Sequence, residues 1–295
     1  MTEYTRQKKG IFTAAVITNK AGGGNFFRLS LELFDDAAKA FSTALPGQFA
    51  EFDLSTIALP ADEQIPDELS DKSSRQILLR RPFSFTDVEI SGDKAILEIL
   101  YCVLGPATLR MKTLTSGDKI NLIGPLGNGF KIDRDKKLAI LVAGGMGIAP
   151  LLHLAKELKK LPEIQVVALV GGKSDSQLPC REIKNTKTLI STDDGSAGFK
   201  GFVTEMLKNR LKENKPDNNK TIIYTCGPEV MMAKVAAISA ELNIPCQVSL
   251  ERMMACGTGL CQGCAVKCVD KETNETGYKL CCKDGPVFWS DEVVW

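Results

Sequence analysis

The amino-acid sequence predicts a β plus α/β protein: an antiparallel β-barrel, then a parallel sheet flanked by helices, then a small lobe organised by an inorganic centre. Three observations carry this reading. Residues 11–132 break into short β runs separated by Gly, Pro and Asp turn signals. From Lys137 the rhythm lengthens to apolar strands alternating with helical spacing. Beyond Glu251 the periodicity fades, and six of the ten cysteines lie after position 255. The boundaries drawn from these shifts are 1–134, 135–249 and 250–295.

In the first zone the runs FTAAVI, NFFRLSLEL, RQILLRRPFSF, AILEILYCVL and KINLIG read as strands, at a spacing that suits a small antiparallel barrel. Between them, Asp53–Lys72 is acidic, holds Pro60 and Pro66 and shows no period, so it reads as a surface insertion. In the second zone LAILVAG is a continuous apolar strand, and PLLHLAKELKKL has helical spacing with Pro150 in a first-turn position. The strand QVVALVGG follows, then TLISTDD, a helix over 204–214, the strand TIIYTCG, the helix PEVMMAKVAAISAEL and the strand CQVSL. Strands alternating with helices predict a parallel sheet covered on both faces. The last zone spreads too few apolar residues to build a core of its own, so a bound centre is its natural organiser.

Composition narrows the function. A length of 295 residues accommodates two or three domains, and 37 basic against 36 acidic residues leave a net charge of +1. No bulk attraction to nucleic acid or to an anionic membrane follows from that balance. The N-terminal stretch MTEYTRQKKGIF lacks the apolar core of a secretory leader, which predicts a cytoplasmic protein. The apolar stretch Leu138–Ala155 carries Gly144, Gly145, Gly147, Pro150 and His153, so it reads as strand, turn and helix and not as a membrane span. Thiols in a reducing compartment stay reduced, so clustered cysteines there indicate metal or redox work over disulfides.

The sharpest motif is CGTGLCQGC. Cys256, Cys261 and Cys264 form C-x4-C-x2-C, which with one more distant cysteine is the plant-type ligand pattern of a 2Fe-2S cluster. Gly257, Gly259 and Gly263 let the loop wrap closely and aim backbone N–H groups at the sulfurs. A structural zinc site is the competing reading, although it ordinarily pairs two closely spaced cysteines with two more. Residue chemistry leaves the fourth ligand open among Cys268, Cys281 and Cys282: Cys268 lies close to the motif, and adjacent side chains at 281 and 282 point differently, so no more than one of those two binds.

In the α/β zone AILVAGGMGIAP places glycines between a strand and a helix, where N–H groups receive a pyrophosphate, although Pro150 breaks the G-x-G-x-x-G pattern. YTCGPEVM and STDDGSAG supply two further strand-end turns. In the barrel zone Arg80 and Arg81 adjoin a proline-stiffened strand and LIGPLGNGF adds backbone donors, a combination suited to a phosphate or to a solvated surface. His153, the single histidine, reads as packing, and one histidine excludes a Rieske centre within the chain.

Taken in order, R-P-x-S (81–84), G-P-L-G-N-G-F (124–130), G-G-M-G-I-A-P (144–150), S-T-D-D-G-S (191–196), C-G-P (226–228) and C-x4-C-x2-C followed by C-K-D-G-P-V-F (282–288) resemble the electron-transfer subunits of two-subunit, NAD-linked dihydroorotate dehydrogenases, in the ferredoxin reductase superfamily. The resemblance covers nearly the whole chain. It implies an FAD-binding barrel, an NAD-binding α/β domain and a C-terminal 2Fe-2S lobe. It implies that Arg81, Pro82, Phe83 and Ser84 hold the flavin and its diphosphate, and that Gly144, Gly145 and Gly147 with Cys226, Gly227 and Pro228 line the nicotinamide site. It selects Cys282 as fourth ligand beside Cys256, Cys261 and Cys264. Where the family carries a G-x-G-T turn at the flavin phosphate, this chain has Gly105, Pro106, Ala107 and Thr108, and its acidic insertion is longer than the family's.

The implied partner is an FMN-containing catalytic subunit in a hetero-oligomer, a heterotetramer, serving pyrimidine (UMP) biosynthesis. Electrons would pass singly through the cluster to FAD, which stores two and delivers a hydride to NAD+, so no acid–base residue for dihydroorotate oxidation is required here. Two rival readings differ in testable ways. The small subunit of an NADH-dependent ferredoxin:NADP oxidoreductase or sulfide dehydrogenase shares the cofactors but ordinarily has aspartate where this chain has Cys256. A zinc-stabilised, non-enzymatic interaction module would be colourless. For the nucleotide, Lys173, Ser174 and Asp175 follow QVVALVGG at the expected ribose edge, with Arg181 some distance along; one Lys beside one Asp is a poor 2′-phosphate trap and predicts NAD(H).

Overall fold

The computed structural model describes residues 8–295; residues 1–7, on which part of the leader reading and the start of the first zone fall, lie outside the described residues. The first zone contains β1 (Gly10–Gly23), β2 (Phe26–Phe34), α1 (Asp35–Phe41), β3 (Phe49–Asp53), α2 (Ser70–Ser73), β4 (Arg81–Ser84), β5 (Asp87–Ser91), β6 (Lys94–Cys102), α3 (Pro106–Met111) and β7 (Lys119–Leu126). Its strands form one antiparallel sheet in the order β4-β3-β7-β1-β2-β6-β5, curled into a half-barrel. The curl follows from alternation: Leu29, Leu31 and Leu33 on β2 and Ala95, Leu97 and Ile99 on β6 point into one core, which Phe41 of α1 helps to fill.

The strand expected over RQILLRRPFSF is present only from Arg81. Its partner β3 ends at Asp53, opposite Phe52↔Arg81, so residues 75–80 have no strand to pair with. The acidic insertion is more ordered than its lack of period suggests. It forms two 3-10 turns, Asp62–Gln64 and Asp67–Leu69, and the short α2, and it is pinned by burial of Leu69 in the barrel core.

The second zone is a parallel sheet of β8 (Leu138–Gly144), β9 (Gln165–Gly172), β10 (Lys187–Thr192), β11 (Phe199–Lys200), β12 (Thr221–Cys226) and β13 (Cys246–Ser249), with α4 (Ile148–Leu158), α5 (Val203–Asn214) and α6 (Glu229–Glu241) between them. β8 and β12 are buried on both faces, as their unbroken apolar runs require. The order β11-β10-β9-β8-β12-β13 reverses direction between β8 and β12, and the crevice beyond the carboxyl ends at such a point is where ligands of open α/β sheets bind.

The last zone holds the hairpin β14 (Ala265–Val269) and β15 (Thr276–Leu280), then β16 (Val287–Trp289). β16 adds antiparallel to β13, so the lobe extends the nucleotide sheet instead of standing apart. Cys264, Val266, Cys281, Cys282 and Phe288 pack into the same core as β8, β9 and β13, which resolves how so short a segment is stabilised. Asn128 Nδ2 donates to the Asp284 carbonyl at 2.9 Å, fastening the barrel to the lobe. Lys156 of α4 holds Asp87 and Glu89 of β5 at 2.7 and 3.0 Å, fastening the barrel to the parallel sheet. Among the described residues no helix is long and apolar enough to cross a membrane.

Candidate functional site

A cavity of about 330 Å³ opens where the three zones meet. The barrel contributes Pro82, Phe83 and Ser84 from β4, Tyr101 from β6 and Thr108 from α3; the parallel sheet contributes Met146, Pro150 and Cys226; the lobe contributes Glu251, Met254 and Pro286. Phe83 is held by edge contacts with Phe52 and Tyr101, at centroid distances of 5.6 and 6.4 Å. The Tyr101 hydroxyl donates to Asn19 at 3.0 Å, which fixes that wall from behind. The walls are mainly apolar with a few polar groups, the character of a site for a planar cofactor.

Of the residues singled out for the flavin, Pro82, Phe83, Ser84 and Thr108 line this cavity. Arg81 does not: its Nη1 donates to the carbonyls of Leu79 and Arg80 at 2.7 and 3.1 Å. Gly105 stands before α3, and the Thr108 hydroxyl accepts the N–H groups of Leu104 and Gly105 at 2.9 and 3.3 Å. Thr108 thus shapes the turn that the sequence placed at a phosphate.

A second cavity, of about 430 Å³, lies across the glycine turn and is lined by Gly144, Gly145, Gly172, Lys173, Asp193 and Pro228 among others. Gly147 and Gly227 act by close approach. A Cβ on Gly147 would stand 2.1 Å from the Cys226 carbonyl oxygen, and one on Gly227 would stand 2.9 Å from the Gly144 nitrogen. The two strand-end turns therefore pack backbone against backbone. Cys226 is buried on the flavin side, and burial holds its thiol far above the ordinary range, so it is neutral.

Lys173 lies in the second cavity as the sequence suggested, but Asp175 does not, because it forms an ion pair with Arg181 and its backbone N–H donates to Ser196 Oγ. Arg181, six residues along, closes on it. The carboxylate that faces the cavity is Asp193, at the end of β10 within the STDDGS turn. The strand-end position of that turn was legible; which of its residues faces inward was not.

In the lobe, Cys256 Sγ accepts the N–H groups of Thr258 and Cys261, each at 3.4 Å, and Cys264 Sγ accepts the N–H of Cys282 at 3.4 Å. These donors, chiefly the Cys261 N–H, hold the Cys256 thiol down to about 6, so it is a thiolate at neutral pH, the form that binds iron. Gly257 and Gly259, at φ of +67° and +89°, supply the left-handed turns that aim the N–H groups inward. Cys282 lies beside Cys264, and burial and that neighbouring thiol push its own thiol up to about 12. Cys281 turns the other way, donating its thiol to the Leu250 carbonyl at 3.4 Å. Cys268 is buried in the β14 strand. Among the described residues no three His, Cys, Asp or Glu side chains gather as a single ion requires, whereas a two-iron cluster divides its ligands between two metals. The donor set suits such a cluster: four cysteines, with N–H groups aimed at two of the sulfurs.

One residue of this centre carried no sequence signal. Glu51 lies on the outer face of β3, where alternation in FAEFD predicts exposure, yet it is 0% exposed because the cluster loop covers it. Both its carboxylate oxygens lack a hydrogen-bond partner.

Comparison with known proteins identifies the family to which these zones are similar. Residues 251–294 match the family described as the iron-sulfur cluster binding domain of dihydroorotate dehydrogenase B, and residues 141–237 match the oxidoreductase NAD-binding domain. The dihydroorotate dehydrogenase B (NAD(+)) electron transfer subunit of Caldanaerobacter subterraneus subsp. tengcongensis is 39% identical over 216 residues, 73% of this chain and 81% of that protein. A probable counterpart from Methanocaldococcus jannaschii is 46% identical over 193 residues, 64% of this chain and 69% of that protein. A solved structure of an NADH-dependent reduced ferredoxin-NADP oxidoreductase superposes with a TM-score of 0.75 at 26% identity, covering 96% of this chain and 90% of that one. The rival oxidoreductase reading therefore corresponds to a more distant relative.

Proposed function

The chain belongs to the family of electron-transfer subunits of NAD-dependent dihydroorotate dehydrogenase B, and from that premise we propose how its residues divide the work. Its function is to carry electrons between a dihydroorotate-oxidising catalytic subunit and NAD+, with FAD and a 2Fe-2S cluster as cofactors. When bound, the cluster supplies one-electron transfer and the flavin converts between one- and two-electron chemistry. The observation that carries the assignment of residues is the cavity walled by all three zones, which places barrel, nucleotide turns and cluster lobe within one site.

Pro82, Phe83 and Ser84 form the flavin's wall, and Tyr101 with Phe52 keeps Phe83 in place. Arg81, at the start of the same edge strand, reaches the diphosphate by exchanging its contacts with the Leu79 and Arg80 carbonyls. Gly105 and Thr108 shape the adjoining turn. Gly144, Gly145 and Pro228 floor the nucleotide site, Gly147 and Gly227 bring its turns together, and Cys226 presents a neutral thiol to the first cavity. Asp193 accepts the ribose hydroxyls and disfavours a 2′-phosphate. Cys256, Cys261, Cys264 and Cys282 ligate the irons, and the N–H groups of Thr258, Cys261 and Cys282 stabilise charge on the sulfurs.

The zones 1–134, 135–249 and 250–295 serve as the FAD, NAD and cluster units. A cytoplasmic setting fits the clustered cysteines of the lobe, which a reducing compartment keeps available as ligands. The test is reconstitution: the purified chain, brown and yellow from cluster and flavin, is combined with its catalytic subunit and assayed for dihydroorotate-dependent NAD+ reduction. A chain that carries both cofactors yet supports none would refute the function.

A further inference from the structure

A glutamate is an unusual residue for the interior face between a barrel and an iron–sulfur loop. Glu51 is fully buried, pairs through the backbone with Pro82 on β4 and Ile123 on β7, and has no hydrogen-bond partner for either oxygen. The cluster loop lies directly on it. A Cβ built on Gly257 would meet Glu51 Cγ at 2.6 Å and Oε1 at 3.0 Å, so glycine at 257, next to the ligand Cys256, is what admits the carboxyl group.

The cations nearest to it are turned elsewhere. Arg81 spends its Nη1 on two backbone carbonyls, and Arg80 faces Asp53 at 3.5 Å. Among the described residues neither makes an ion pair with Glu51. Burial raises its pKa to about 7, with Arg81 opposing and Cys256 adding to the rise. A buried, unpaired carboxyl group costs stability, and a neutral side chain of the same shape would relieve that cost. Its presence therefore calls for a use that charge can serve. In a medium of low polarizability a fixed charge acts strongly on its neighbours, and the neighbour here is the loop that carries Cys256.

We infer that Glu51 is a positioning residue of the iron–sulfur centre, whose carboxylate, held behind the Gly257 loop, lowers the cluster's reduction potential. This rests on the assignment of Cys256 as a ligand. Adding an electron to a centre beside the ionised carboxylate is disfavoured, so in that state the charge biases the equilibrium toward the oxidised cluster and toward passing electrons onward.

The experiment is a redox titration of the full, cofactor-loaded chain at pH 8.5, following the reduced cluster by EPR, for wild type, Glu51→Gln, Glu51→Met and Asp53→Asn. Both neutral substitutions at 51 are expected to raise the midpoint by about 59 mV or more, a tenfold change in a one-electron equilibrium. Asp53→Asn, which removes a more exposed charge from the same strand, should move it far less. An unchanged midpoint in Glu51→Gln and Glu51→Met, with the EPR signal intact, overturns the inference. So does loss of the cluster in both, which would make Glu51 a binding residue and not a tuning one, and so does an equal shift in Asp53→Asn. Failure of the ligand assignment has a separate signature, a cluster that survives Cys256→Ala.

Discussion

The backbone N–H of Cys282 points at Cys264 Sγ across 3.4 Å, although 17 residues separate them in the sequence. That contact sets Cys282 beside Cys264, while its neighbour Cys281 is fully buried and gives its thiol to the Leu250 carbonyl. Both cysteines lie in the turn that follows β15, which ends at Leu280, and the turn sends their side chains to different neighbours, which favours Cys282 over Cys281 as the ligand.

Serine at 282 is accordingly expected to abolish the reduced-state EPR signal and the cluster's visible absorption. Serine at 281 should leave both intact, since its hydroxyl can replace the thiol as donor to Leu250. The reverse outcome would exchange the two assignments.

Local pattern made much of the molecule legible. LAILVAG and QVVALVGG are strands β8 and β9 end to end, because strands buried on both faces need unbroken apolar runs. The cysteine motif was readable because metal ligation constrains spacing directly. What stayed hidden depends on partners distant in sequence. RQILLR has strand-forming residues but no neighbouring strand, and Glu51 is exposed by its own strand's alternation but covered by a loop some 200 residues later. Neither is a property of a short window.

For the flavin, Arg81→Ala removes a charge-assisted contact worth about 1.5–3 kcal/mol and should weaken FAD binding roughly 10- to 150-fold. Fluorescence titration of the deflavinated chain measures this. An unchanged dissociation constant would mean that Arg81 keeps its hold on the Leu79 and Arg80 carbonyls in the bound state and that other groups meet the diphosphate.

For the nucleotide, the wild-type chain should favour NADH over NADPH by about tenfold or more in kcat/KM, about 1.4 kcal/mol, in diaphorase assays with a dye acceptor. Asp193→Asn should narrow that ratio, since it removes the charge that repels a 2′-phosphate, whereas Asp175→Asn should leave it in place. A ratio governed by Asp175 and indifferent to Asp193 would move the ribose to the other turn.

His153 offers a pH-dependent test of the packing between barrel and parallel sheet. It is buried on α4, its Nδ1 has no partner, and burial lowers its pKa to about 4 despite Glu157 and Asp87, which favour the charged form. In the unfolded chain the ring takes a proton near its ordinary value of about 6.5. Between those values the unfolded state binds more protons than the folded one, so stability falls as pH drops through that window and is restored above it. Between pH 7.5 and 5.0 the lost stability is about 2 kcal/mol. His153→Leu cannot take up the proton. Since this is the only histidine in the chain, the difference between the two pH profiles isolates it. Urea denaturation of both proteins at pH 7.5 and 5.0, matched for cofactor content, should show the wild type losing about 2 kcal/mol more than the variant. Parallel losses would show that the ring is protonated within the fold, drawing on Glu157 at 3.9 Å as a counter-ion.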